Sequence, residues 1–426
     1  MKFNLPLLLT ICVILCCSCE ENENAVLRDI PFQGRTITEI NLDNISPEVR
    51  EYKLSELFSS FQAIPLETRP ECMIGNTEIK FSKNFIFVGT QNVPGASKLY
   101  RFSKNGSFIN EYGNEGRGPG EHTDYLPAQV TPIEEDSLLL AFWEGSNENS
   151  QIFSFNGSFK GEVVHPVSLL SNIYQWSNDE WFGIGHCSGR PVYQRDSCKI
   201  IFFNNDGKIL KIIPRLEYPN VKTDGYMPIG GSPSIYRYNN QWKTYIPGID
   251  TIFKIVDKTL IPTEILNRGK KGMPYNTIMA PEQLPGKFYL EILAETENNI
   301  FIKKEVIQSA EVHQYEPGQW GSIITNEDQL IIIDKKSGKA TYAKLIDDTF
   351  QFLPDDFLFS RLQWTDNPRV FISIQAINYL QAIKEPKPVD GLTKEALEHR
   401  EKLKGITENS NPIILTFFIK DRIRID

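Results

Sequence analysis

Short apolar runs separated by polar turns fill most of the chain and follow a repeated order. In the clearest copy, apolar runs at 85–89 and 99–102 precede a turn at 104–107, and a third apolar run follows at 108–112. Asn-Gly and Asp-Gly between apolar runs predict tight β-hairpins, because both residues tolerate the positive φ angles of such turns. The pattern therefore predicts antiparallel strands rather than helices.

The turns recur at a regular interval. They begin, about 50 residues apart, at Asn105, Asn156, Asp206 and Asp257. A repeat of this length with three or four strands is typical of a β-propeller blade, whereas most solenoid repeats are shorter. A fifth turn follows at 337–338 after a gap of about 80 residues, so about 30 residues are inserted relative to the repeat. We expect this insertion at 268–284, as a long loop over one face.

The two ends of the repeat region are expected to meet. The strand-like segment 61–66 precedes the first full unit, and 413–419 is the last apolar run. Pairing them would close the ring and remove sheet edges that otherwise invite aggregation. Five complete units and this composite unit predict an all-β fold, a six-bladed β-propeller closed by its N- and C-terminal strands.

One short helix is predicted near the C-terminus. Thr393 is a suitable N-cap, Glu395 lies in the first turn, Lys402 in the last, and Gly405 follows as a stop. We expect this helix to lie on the rim of the propeller. A role in binding a partner is the alternative.

The start of the chain has the pattern of a targeting signal. Lys2 precedes an apolar run over 5–17, which is short for a membrane span but suits a signal peptide. Small residues lead to Cys19, and an acidic stretch follows at 20–23. This arrangement resembles a bacterial lipobox, which implies cleavage before Cys19 and diacylation of its sulfur. An ordinary secretory signal is the alternative.

These features divide the chain into three parts: a signal peptide (1–18), an anchor linker (19–50) and the propeller (51–426). Two acyl chains hold a protein on a membrane where one would be marginal. Acidic residues directly after the modified cysteine resemble the surface-export signal of Bacteroidota lipoproteins. The expected location is therefore the outer membrane, facing outward from the cell.

Composition and charge restrict the kinds of molecule that we expect the protein to bind. The chain has 26 Phe and 16 Tyr, which fit pleated, half-buried sheets. Its 45 Lys and Arg stand against 54 Asp and Glu, for a net charge of −9. An acidic surface repels phosphate backbones, so nucleic acid is not an expected partner.

Export makes a disulfide feasible. Cys187 and Cys198 flank a ten-residue segment between two apolar runs, so they are placed to face each other across a hairpin. Two buried free thiols are the alternative. Cys72 has no evident partner in the sequence.

Several segments resemble a family of six-bladed β-propeller lipoproteins of Bacteroidota whose function is unknown. The matching segments are 53–58, 64–68, 102–106, 112–121, 250–255 and 411–415. They are short, but their order and spacing span nearly the whole mature chain. The resemblance implies the fold and the location, and it implies no activity.

The glycine-rich segment 116–122 is the first candidate site. Its three glycines and one proline build a loop with special backbone angles. Such a loop between two blades would present Arg117, Glu121 and His122 to the central opening, where Arg117 would grip a carboxylate or sugar hydroxyls. The alternative is a structural crossover in which Arg117 pairs with Glu121.

The second candidate is the aromatic segment 218–238, which contains Tyr226 and Arg237. Aromatic rings with scattered polar groups suit stacking on sugars. Packing of the loop against the propeller is the alternative.

No motif of a known catalytic or metal site stands out. The five histidines lack metal-ligand spacing, and no Gly-x-Ser-x-Gly occurs. The sequence therefore names no catalytic residue, metal or cofactor. It favours a non-catalytic binding or scaffold propeller for a glycan or a protein partner. The alternative is an extracellular glycan hydrolase or lyase with carboxylates at the propeller centre, since sequence does not show which acidic residues converge.

Overall fold

A computed structural model describes the chain over most of its length. The described residues are 26–93, 96–116, 118–122, 127–133, 137–142, 149–166, 170–185, 200–213, 234–245, 250–273, 281–316, 319–353, 358–365, 369–384 and 392–425. Within them, six sheets of four to six strands form the blades of a propeller. The predicted six-bladed, all-β fold is confirmed.

The first four strands come from the N-terminal segment, and eight of the next ten build the first two blades. The N-terminal strands are β1 (Leu27–Phe32), β2 (Arg35–Asn41), β3 (Val49–Lys53) and β4 (Phe58–Pro65). Blade I contains β5 (Asn76–Phe81), β6 (Phe85–Val93), β7 (Ala96–Ser103) and β8 (Phe108–Tyr112). Two short strands follow, β9 (Asn114–Glu115) and β10 (Glu121–His122). Blade II contains β11 (Pro127–Ile133), β12 (Ser137–Phe142), β13 (Asn149–Ser154) and β14 (Phe159–Val164).

The remaining strands build blades III to VI. Blade III contains β15 (Leu170–Ser177), β16 (Glu180–Gly185), β17 (Ile200–Asn204) and β18 (Ile209–Ile213). Blade IV contains β19 (Ser234–Tyr238), β20 (Gln241–Tyr245), β21 (Thr251–Val256) and β22 (Thr259–Asn267). Blade V contains β23 (Phe288–Glu295), β24 (Asn299–Glu316), β25 (Gln319–Asp334) and β26 (Ala340–Ile346). Blade VI contains β27 (Gln363–Trp364), β28 (Arg369–Ile374) and β29 (Ile413–Ile419), and β4 completes it.

The predicted turns join the third and fourth strands of blades I to V. Gly106 illustrates why glycine is needed there: its φ is +89°, and a β-carbon would overlap the carbonyl oxygen of Pro65. We call the face that carries these turns the lower face. The connections from one blade to the next, and the turns between second and third strands, lie on the opposite, upper face.

Six apolar cores, each between two neighbouring blades, hold the ring together. Between blades I and II, for example, Phe87 and Tyr112 pack with Phe153. The ring is closed where Phe102 of blade I shares a core with Ile414 of blade VI. Each sheet therefore buries both faces, which explains why its strands are apolar nearly throughout.

The predicted pairing of the chain ends is confirmed. β4 runs antiparallel to β29, from Pro65 opposite Ile413 to Phe58 opposite Ile419. Asn411, just before β29, fastens the same junction: its side-chain amide donates to the carbonyls of Glu67 and Cys72 at 2.7 and 2.8 Å. These two hydrogen bonds connect the start of the C-terminal strand to the residues that follow β4.

The N-terminal segment also covers the outer edges of two other blades. β2 pairs in parallel with β22, the outermost strand of blade IV, and β3 pairs in parallel with β26 of blade V. β1 folds back antiparallel on β2. The expected linker over 19–50 is therefore wrong for residues 27–50, which belong to the propeller because side chains such as Ile40 are fully buried between blades IV and V.

The insertion was expected in the wrong place. The connection between β22 and β23 is no longer than the one between β18 and β19. The additional residues instead lengthen β24 to 18 residues and β25 to 16. Beyond Val306 and Leu330 these strands pair only with each other, and they form a ribbon that extends past blade V on the upper face.

The described residues contain four α-helices and three short 3-10 helices. The α-helices are α1 (Leu54–Leu57), α2 (Leu358–Arg361), α3 (Ala376–Lys384) and α4 (Lys394–Lys402). The 3-10 helices are Leu42–Asn44, Pro70–Cys72 and Pro281–Gln283. α4 is the predicted helix, and its Thr393 cap accepts a hydrogen bond from the Ala396 amide at 3.1 Å. The helix α3 was not predicted from the sequence. Among the residues that the structure describes, no helix is long and apolar enough to cross a membrane.

His165, beside blade III, makes stability depend on pH. The side chain is 6% exposed, and its Nε2 lies 2.7 Å from the Ser150 hydroxyl. Burial lowers its pKa to about 4 from a usual value of 6.5. The unfolded chain therefore binds a proton between pH 6.5 and 4 that the folded chain does not bind. Acidification through this range is expected to cost about 3 kcal/mol of folding free energy.

The prediction is checked by denaturant unfolding at pH 7 and pH 4.5 in the parent and in His165→Phe. The variant should lose less stability on acidification than the parent does. An identical loss in both would show that other groups, such as the buried His399, carry the acid sensitivity.

Candidate functional site

The innermost strands of the blades are the natural place for a site. In blades I to VI these are β5, β11, β15, β19, β23 and β27, each at one end of its sheet. The first strands of blades I and II, of II and III, and of IV and V contact one another. In a closed propeller such strands border the central channel. Polar side chains on them therefore line the axis of the molecule.

Arg237, one of the predicted site residues, lies on β19 and is exposed. Its guanidinium carbon is 4.3 Å from the ring centroid of Trp242. That ring is buried and packs against Tyr174 and Phe182, with centroids 4.9 and 5.2 Å away. The cation–π contact fixes the guanidinium against a rigid aromatic wall. Its planar array of N–H donors suits a carboxylate or vicinal hydroxyls.

Two carboxylates on other innermost strands were not predicted. Glu78 lies on β5 of blade I, and Glu291 on β23 of blade V. Both blades neighbour blade VI, and each carboxylate precedes the first turn of its blade by four or five residues, so the two lie at similar depth in the channel. Burial raises the pKa of both groups, and Lys80 and Lys303 respectively oppose the rise.

Each of these carboxylates has a lysine nearby. Lys80 Nζ lies 3.3 Å from Glu78. Lys303, opposite Glu291 on the next strand, also lies 3.0 Å from Asp328. Blades I and V, on either side of blade VI, therefore each carry both charge signs near the channel, and blade IV adds an arginine. Such a surface can hydrogen-bond a polar ligand and protonate or deprotonate it.

The glycine-rich loop connects blade I to blade II on the upper face. Its short strands β9 and β10 pair in parallel. The Glu121 carboxylate accepts a hydrogen bond from the Gly118 amide at 2.7 Å, and its carbonyl accepts one from the Gln151 side chain at 2.8 Å. A β-carbon at Gly116 would overlap the Glu121 carboxylate. Glu121 thus stabilises the conformation of the loop through these hydrogen bonds.

Several predicted residues lie outside the described parts of the chain. These are Cys19, Arg117, Cys187, Cys198 and Tyr226. His122 contributes its backbone to β10. Of the predicted ligand-binding residues, Glu121 and Arg237 are described, and they lie apart: one on an upper-face loop between blades I and II, the other near the lower end of blade IV.

A buried charge cluster lies beside the site, between blades IV and V. Lys243 Nζ is 2.8 Å from Glu264 and 2.9 Å from Glu295, and the side chains of Lys243 and Glu295 are only 5% and 1% exposed. Burial acts to lower the pKa of Lys243, but the two carboxylates outweigh it and the pKa is raised. Tyr236 donates to Glu295 at 3.1 Å, and Lys335 pairs with Glu295 from the other side. The cluster joins blades IV and V, and each charged group in it has a partner of opposite charge.

The fold and channel define a class: a six-bladed β-propeller with a polar, mixed-charge axis. A family model for a domain of unknown function, DUF4934, matches residues 37–418, and the chain belongs to that family. The resemblance noted from the sequence segments is thereby confirmed.

Two solved structures from Bacteroides species are similar to this chain. A protein of Bacteroides fragilis NCTC 9343 that is assigned as exported superimposes with a TM-score of 0.58 at 15% identity, covering 88% of this chain and 100% of its own. A DUF4221 family member from Bacteroides vulgatus ATCC 8482 gives 0.47 at 11% identity, covering 86% and 98%. No curated protein matches the sequence.

Proposed function

We propose that this chain is a surface-exposed lipoprotein that binds a glycan at its propeller axis without chemically changing it. The observation that carries the proposal is Arg237, held on the Trp242 ring at the channel wall. A guanidinium fixed against an aromatic ring, with carboxylates on nearby blades, offers donors and acceptors suited to a hydroxyl-rich ligand. A protein ligand is the runner-up.

The location rests on the N-terminal sequence and on one neighbour. The apolar run and Cys19 have the pattern of a lipoprotein signal, and the B. fragilis protein with this fold is assigned as exported. Two acyl chains on Cys19 would anchor the propeller stably to the outer membrane.

Glu78 and Glu291 favour a second candidate, a glycan hydrolase or lyase. The raised pKa of each carboxyl group makes it better suited to act as a general acid than an ordinary glutamate. Glycosidases pair such an acid with a second, ionised carboxylate that acts as a base or a nucleophile. Under this proposal, Glu291→Gln would abolish product release while leaving glycan binding in place.

Binding is tested with purified residues 20–426 on a glycan array, followed by titration of any glycan that binds. Arg237→Ala is expected to weaken binding at least about tenfold, equivalent to about 1.4 kcal/mol. Its melting temperature should fall only slightly, because an exposed cation–π contact contributes about 0.5–1 kcal/mol. Arg35→Ala, an exposed arginine on β2, is the matched control.

Equal affinity for the parent and Arg237→Ala would contradict a site at this wall. The same binding measurements on Arg117→Ala test whether the glycine-rich loop contacts the glycan. Release of sugar products by the parent protein would replace the binding proposal with the hydrolase or lyase.

A further inference from the structure

The chain enters the propeller at one corner. Val26 packs in the core between blades IV and V, and Leu27 lies beside Gly338 in the turn after β25. Val26, Leu27 and Ser337 line one cavity of about 740 Å³. The segment before Val26 therefore starts at the outer edge of the propeller, where blades IV and V meet.

The segment before Val26 is short. Cys19 precedes Val26 by seven residues. A fully extended chain spans at most about 3.5 Å per residue, so this tether reaches no farther than about 25 Å. An acyl chain on Cys19 would therefore hold the corner close to the lipid headgroups, whatever the tether's conformation.

The glycine-rich loop lies as far from this corner as the fold allows. Following the ring from I to VI, the junction between blades I and II is diametrically opposite the junction between blades IV and V. The width of the ring therefore separates the loop from the point of attachment.

We propose that the outer corner at blades IV and V rests on the lipid surface and that the glycine-rich loop, across the ring, points away from it. This inference rests on the lipid anchor in the proposed function. The tether sets the orientation, and the charge of the corner does not: Lys339 shares the cavity wall with Glu48 and Glu51. Without acylation, the corner should have no affinity of its own for anionic lipid.

The orientation is tested on the full-length, acylated protein in vesicles of phosphatidylethanolamine and phosphatidylglycerol that carry a fluorescent acceptor lipid. p-Azidophenylalanine replaces either Ser337 at the corner or Pro119 in the loop, both of which are exposed. A donor dye is then attached to the azide. We expect energy transfer to be several-fold stronger from position 337 than from position 119.

Equal energy transfer from both positions, or stronger transfer from position 119, would overturn the proposed orientation. Vesicle flotation of the same protein would still show whether the anchor is intact.

Full-length Cys19→Ser is expected not to float with the vesicles. If it floats like the parent, the anchor itself is wrong. Inserting 20 Gly and Ser residues after Asn24 raises the mean span of a flexible tether from about 15 Å to about 29 Å and should narrow the difference. An unchanged difference would show that the tether does not set the orientation.

Discussion

Replacing Lys243 by methionine is expected to lower the free energy of unfolding by about 3–5 kcal/mol. The ammonium group lies within 3 Å of both Glu264 and Glu295, and the latter side chain is only 1% exposed. Methionine fills similar space but leaves a buried carboxylate with only Lys335 as a cationic partner. Denaturant unfolding of the parent and Lys243→Met gives the difference directly.

Two further variants show whether charge is the cause. Lys335→Met removes a partner of Glu295 whose side chain is 23% exposed, so it should cost much less. Lys243→Met combined with Glu295→Gln should recover part of the loss, because the uncompensated charge is gone. If the double variant instead loses as much stability as Lys243→Met and Glu295→Gln lose together when each is measured alone, the cost of Lys243→Met comes from packing.

Removing β4 is expected to prevent the ring from closing. β29 is buried almost throughout, with Ile413, Ile414 and Leu415 fully inaccessible, and β4 covers its outer edge. Exposing several such side chains at about 1.5–3 kcal/mol each exceeds about 5 kcal/mol, which is comparable with the whole stability of many domains. A chain that lacks residues 26–66 should therefore show no cooperative unfolding transition.

The matched control lacks only residues 26–44, which removes β1 and β2 but keeps the closing strand. It should remain folded with a lower melting temperature, because blade IV retains its own four strands. Near-ultraviolet circular dichroism and resistance to proteolysis distinguish these outcomes. A folded chain without residues 26–66 would show that the six inter-blade cores hold the ring without this strand.

Sequence was informative where the fold depends on local signals. The turns at Asn105 and Asn156 are visible because their chemistry is local, and their spacing implied the blades. The pairing of β2 with β22 was missed because its partners lie more than 200 residues apart, as with Thr38 and Glu264. The insertion was misplaced because a segment rich in glycine and proline resembles a loop, whereas longer strands leave the turn pattern unbroken.

The candidate site was harder to predict than the fold. Arg237 stands out in the sequence for its aromatic neighbours, and in the structure its guanidinium lies over the ring of Trp242. Glu78 and Glu291 carry no motif, and they come to the same depth only because the ring brings first strands from blades I and V to one axis. A position on the axis depends on closure of the whole ring, which no short stretch of sequence encodes.

The N-terminal strands also determine when the protein can fold. Ribosomes make β2, β3 and β4 first, yet their partners β22, β26 and β29 are made progressively later, the last of them near residue 415. Pairings between such distant segments make folding slow, since long loops must close before contacts form. A newly made chain would thus stay open until its final blade emerges, which is the state in which a polypeptide can be threaded through a membrane pore.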